Sequence, residues 1–128
     1  MSIQRAVPIV RTTDPDATRA FYVDVLGFEV AMEHTGFLML RSPEIASSQV
    51  IISWPVEHAL DQQVHLADMS VDVGDPAVVD AAHAAAVANG WEIVHPLTDE
   101  SWGMRRCFVR EPSGTVVNVA AHLPVGTR

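Results

Sequence analysis

WGMRRCFVREPSGTVVNVAAH, Trp102 to His122, is the stretch on which the fold of this chain turns. MetArgArgCysPheValArg (104–110) is a β-type run, GluProSerGly (111–114) a polar break, and ThrValValAsnValAlaAla (115–121) a second β-type run. Pro and Gly inside such a break predict a hairpin, because Pro presets φ and Gly tolerates left-handed backbone. Side chains alternate across a strand, so Val117 and Val119 share one face while Val116, Asn118 and Ala120 share the other. Asn118 is then the single polar side chain on an otherwise apolar face. The hairpin is expected to form one wall of a binding cup.

Outward from the hairpin, the chain reads twice in the same order. Residues 3–11 suggest a strand, with Pro8 favouring an edge. Asp14-Pro15 opens a helix: the carboxylate caps, Pro suits the first helical position, and Gly27 ends the run at 15–26. Strands are expected at 28–32, 36–40 and 48–54. After a linker at 55–64, a strand is expected at 65–73, and Asp75-Pro76 opens an Ala-rich helix that Gly90 ends near 89. GlyTrpGlu (90–92) echoes GlyPheGlu (27–29), and a strand at 90–94 precedes the two of the hairpin. The predicted fold is α+β: two βαβββ modules, about 1–54 and 65–122, in one domain, forming a curved mixed sheet around a cup with helices on the outer face.

Composition narrows the function. The 128 residues are 48% hydrophobic and 19% charged, enough for a real core and unlike a disordered chain. A net charge of −8 argues against nucleic acid or an anionic membrane as partner. All eight basic residues are Arg, which excludes Schiff-base lysine chemistry and the lysine of a phosphate-binding loop. Cys107 is the one cysteine, so no internal disulfide forms. With no apolar leader in MSIQRAVPIV and no membrane-length apolar run, the expected location is the cytoplasm.

The segment DPDATRAFYVDVLGFEV (14–30) resembles the first helix of the vicinal oxygen chelate superfamily, the group of glyoxalases, bleomycin-resistance proteins and extradiol dioxygenases. Phe21-Tyr22 and Leu26-Gly27-Phe28 match its FY…LGF signature. GluProSerGly followed by Asn118 resembles its closing hairpin, and the likeness spans residues 3 to 122. It implies a U-shaped sheet around a cup, completed by a homodimer.

The resemblance also implies where a metal would be held. Metal-dependent members carry His or Gln on the first strand, a carboxylate or His late in the first module, His or Gln opening the fifth strand, and Glu on the last. Those positions fall here on Val7, on Ile52 or Ser53, on Leu66 with His65 beside it, and on Asn118. Aliphatic side chains donate nothing to a divalent ion, so neither a metal nor another cofactor is expected. Strand parity puts His65 with Ala67, Met69 and Val71 against the helices, and Leu66, Asp68 and Ser70 toward the cup. His34, His58, His83, His95 and His122 lack ligand spacing and read as surface or loop residues.

What remains is a binding surface. The resemblance turns Met104, Arg106 and Phe108 inward and leaves Cys107 and Val109 facing the helix. Arg106 and Asn118 become neighbours across the hairpin, a guanidinium fork beside an amide. Asp68 faces them, either toward a ligand or as a structural partner of Arg106. Trp54 and Trp102 either floor the pocket or belong to the core, and Trp91 reads as packing. No catalytic residue is assigned. Three classes stay open: a metal-independent small-molecule-binding protein, an enzyme of glyoxalase or dioxygenase type (or a metal-free lyase using Asp68), and a structural dimer.

Overall fold

Asp14 and Asp75 start the two helices in the same way. Each carboxylate accepts from the backbone N–H of Ala17 or Ala77, at 3.1 and 2.9 Å, and Pro follows at the first helical position. The computed structural model describes residues 3–59 and 61–124. The chain divides into two compact units: Val7–His65, here the first module, and the residues up to Ala6 with Leu66 onward, the second module. Residues 55–59 and 61–64, the expected linker, fall within the first of these units.

In the first module β1 (Arg5–Arg11) leads into α1 (Pro15–Ala20), and β2 (Glu29–His34), β3 (Phe37–Arg41) and β4 (Gln49–Ser53) follow. β4 lies between β3 and β1, antiparallel to β3 and parallel to β1, and β2 pairs antiparallel with β3. The expected helix at 15–26 is α-helical only to Ala20 and then widens into a π-type turn, Phe21–Val25. Its end is a Schellman-like closure: Phe28 N–H reaches Tyr22 O at 3.0 Å, with Gly27 at φ +88. That closure brings Tyr22 and Phe28 edge to face, 5.9 Å between centroids. Leu38, Leu40, Val50 and Ile52 are buried beneath Tyr22, Val23 and Phe28, so this is the helix side of the sheet. Trp54 packs there too.

The second module repeats the order: β5 (Met69–Asp72), α2 (Pro76–Ala88), β6 (Ile93–Glu100), β7 (Met104–Arg110) and β8 (Val116–His122). β8 lies between β5, to which it is parallel, and β7, and β6 pairs antiparallel with β7. Ala6 and its predecessors join this unit: Gln4 N–H donates to Asp72 O at 2.8 Å, and Arg5 Nε lies 3.4 Å from Asp72 Oδ2. The 104–122 hairpin forms as expected, with Arg110 opposite Val116 and Gly114 at φ +97 in the turn. Val73, Val79, Cys107 and Ala121 are buried together, with Val71, Val109 and Val119 against them. Arg106, Phe108 and Asn118 therefore occupy the opposite face.

Two strand boundaries differ from expectation. β5 begins at Met69, because residues 64–66 form a 3-10 turn. β6 runs on to Glu100, with register shifts between Ile93 and His95 and between His95 and Thr98. Pro96 lacks an N–H for the ladder, and the bulges accommodate it at this edge strand. Trp91, expected as packing, is 43% exposed. Among the described residues no helix is long and apolar enough to cross a membrane.

Candidate functional site

The face of the second module away from α2 carries two rows of side chains. Register places His95 opposite Phe108, Phe108 opposite Asn118, and Asn118 opposite Ser70. The next row runs Thr98, Arg106, Ala120 and Asp72.

Arg106 is the centre of this face. It is 3% exposed, and a buried guanidinium needs an opposite charge. Glu100 supplies it: its Oε2 accepts from Arg106 Nε at 2.6 Å. The same oxygen lies 2.9 Å from His95 Nε2. Phe108, fully buried, has its centroid 4.8 Å from the guanidinium carbon and 4.9 Å from the His95 ring. The Trp102 ring lies 5.2 Å from that carbon. The negative faces of both rings favour the cation and hold its plane.

Asn118 is 6% exposed. Its amide nitrogen donates to Ser70 Oγ at 3.2 Å, while Oδ1 is buried with no hydrogen-bond partner. An unpaired buried acceptor costs roughly 1–3 kcal/mol. Cys107, on the helix side, has its thiol pushed up to about 11 by burial and then by the charge of Asp80, which leaves it neutral and unreactive.

Asp68 closes the start of the β5–β8 ladder: its N–H donates to Val116 O at 2.8 Å and its Oδ2 accepts from Val116 N–H at 2.9 Å. Other expected placements change. Trp54 lies on the helix side of its own sheet, since Ile52 and Trp54 share parity and Ser53 does not. His65 and Leu66 are both exposed in the 3-10 turn, so strand parity does not apply to them. His95, read as a surface residue, is a half-buried strand residue bound to Glu100. Glu100 itself was missed. The available signal was Ser101-Trp102-Gly103, a tight turn with Gly103 at φ +89 that makes 93–110 a second hairpin.

Of the metal positions implied by the family resemblance, Val7 and Leu66 carry aliphatic side chains, which donate nothing to an ion. Val7 is buried and aliphatic, and Ser53, not Ile52, lies on the face away from the helix. Asn118 donates through its amide nitrogen to Ser70 Oγ, which leaves Oδ1 as its one oxygen donor atom. Among the described residues no group of three or more His, Cys, Asp or Glu side chains is placed to hold a metal.

The glyoxalase/bleomycin resistance protein/dioxygenase superfamily model matches residues 3–119, and the chain belongs to that superfamily. No curated protein matches. Among solved structures, a superfamily member from Vibrio splendidus 12B01 is 20% identical with TM-score 0.64, over 94% of this chain and 99% of that one. Homoprotocatechuate 2,3-dioxygenase from Arthrobacter globiformis is 27% identical with TM-score 0.69, over 95% of this chain but 37% of its own. A Mn(II)-bound glyoxalase from Novosphingobium aromaticivorans is 19% identical with TM-score 0.65, over 93% of this chain and 38% of that one.

Proposed function

We propose that this chain is a metal-independent small-molecule-binding protein that sequesters a planar organic molecule, an antibiotic or an aromatic metabolite. The observation that supports it most is the buried, unpaired Asn118 Oδ1, on the same face as Arg106 and its aromatic partners Trp102 and Phe108. Pockets for such ligands are mostly apolar, with a few polar groups that fix orientation. The ligand presents an N–H or O–H to Asn118 and a flat surface to the rings. Protein purified without chelator or affinity-tag nickel is expected to carry well under one equivalent of zinc, nickel, iron or manganese. Near-stoichiometric metal would overturn the reading, and a ligand panel scored by thermal shift tests the binding itself.

A second reading is an enzyme of glyoxalase or dioxygenase type. What favours it is the likeness to the Arthrobacter globiformis dioxygenase and the His95–Glu100 contact, a carboxylate–imidazole pair of the kind used for proton transfer. Turnover of a bound ligand separates it from sequestration.

The working unit in this reading is a homodimer. Phe21, Val25 and Leu26 are 50%, 68% and 54% exposed on the first module, an apolar surface that pairing would cover. Light scattering is expected to give twice the chain mass; a value near 13.9 kDa at micromolar concentration counts against it.

A further inference from the structure

The first module contains a cavity that the proposed function does not use. Residues 54–59 and 61–65 line an open cavity of about 440 Å³, among them Trp54, Val56, Glu57, Asp61, Val64 and His65. Contacts fix these residues near both ends. Trp54 N–H donates to Gly36 O at 3.1 Å. Gly36 has φ +79, and a Cβ there would lie 3.0 Å from both Ala59 Cβ and Trp54 O, so the segment closes directly on the β2–β3 turn. At the far end Asp61 Oδ1 accepts from Gln63 N–H and Val64 N–H, at 2.9 and 3.1 Å, and Val64 is buried. Arg11 Nη1 donates to His65 O at 3.1 Å and fixes the exit.

Size and lining together select a ligand class. The volume falls in the range of small-molecule pockets, about 300–1,000 Å³. Trp54 offers an indole, the ring that attracts cations best, and Val56, Ala59 and Val64 offer apolar contact. Among the described lining residues the acidic side chains are Glu57 and Asp61, and none is an arginine. We propose that this cavity binds a small organic cation, an ammonium group on an aliphatic body, with its charge against Trp54 and Glu57. The assignment rests on the first module alone and stands apart from the Asn118 face.

Choline and its uncharged isostere 3,3-dimethylbutan-1-ol test it on the full chain. Indole N–H resonances are followed by NMR, with Trp54→Phe to assign the Trp54 signal. Choline is expected to shift that signal saturably and bind about tenfold more tightly than the alcohol. Glu57→Gln, on an exposed side chain, is expected to weaken choline severalfold while leaving the thermal midpoint unchanged. Added salt weakens it further. Equal binding of the alcohol, undiminished binding by Glu57→Gln, or no Trp54 shift up to about 50 mM choline overturns the proposal.

Discussion

Arg106→Ala is expected to lower the folding free energy by about 3–5 kcal/mol, because it strands one member of a buried ion pair. The Arg106 side chain is 4% exposed and that of Glu100 14%, so solvent screens the pair little. Without the guanidinium, the Glu100 carboxylate keeps His95 but loses its 2.6 Å partner and the cation that neutralised it. Arg106→Lys should recover only part of the loss, since an ammonium has no planar fork to stack on the Trp102 and Phe108 rings, 5.2 and 4.8 Å from the guanidinium carbon. The denaturant midpoint at unchanged slope is the measurement. A loss below about 1 kcal/mol would mean the pair behaves like a surface salt bridge. The same variant probes binding. A ligand that reaches Arg106 should lose about 1.5–3 kcal/mol of affinity. Unchanged affinity alongside a large stability loss would leave Arg106 a structural residue and remove it from the proposed pocket.

Phe108→Ala should cost about 3–5 kcal/mol, the range for emptying a buried aromatic site. Phe108 is fully buried, and its ring serves two neighbours, His95 at 4.9 Å and the Arg106 guanidinium at 4.8 Å. Truncation therefore opens a void and also removes a surface that holds both polar groups in place. The thermal midpoint should fall by about 10–20 °C for a chain of this size. Combined with Arg106→Ala, the two losses should sum to less than their separate values by about 0.5–3 kcal/mol, because each substitution already removes the contact they share. Full additivity would show that the ring and the guanidinium do not stabilise one another.

The βαβββ order was legible residue by residue. Asp14-Pro15 and Asp75-Pro76 start helices through an acceptor and a preset φ, both properties of the adjacent chain. Gly27, Gly90 and Gly114 all take positive φ where a helix or strand ends. The family resemblance set Arg106 and Phe108 apart from Cys107 and Val109, alternation in 115–121 set Asn118 apart from Val117 and Val119, and the observed faces agree. The FY…LGF and hairpin motifs pointed to the superfamily that the chain belongs to.

Which groups meet was decided only by tertiary structure. The family resemblance says which way Arg106 points, but its pairing with Glu100 depends on the register of β6. That register is shifted twice around Pro96, and the shifts set His95 opposite Phe108 and Thr98 opposite Arg106, two residues from Glu100. A one-residue shift exchanges the faces of a strand, so no pattern within 93–100 could have named Glu100 and His95. His65 was misread for the same reason: parity holds only inside a strand, and β5 starts after the 3-10 turn that holds His65. Sequence patterns report on a residue and its near neighbours along the chain. The Glu100–Arg106–Phe108 grouping is set by hydrogen-bond register between strands, which those neighbours do not encode.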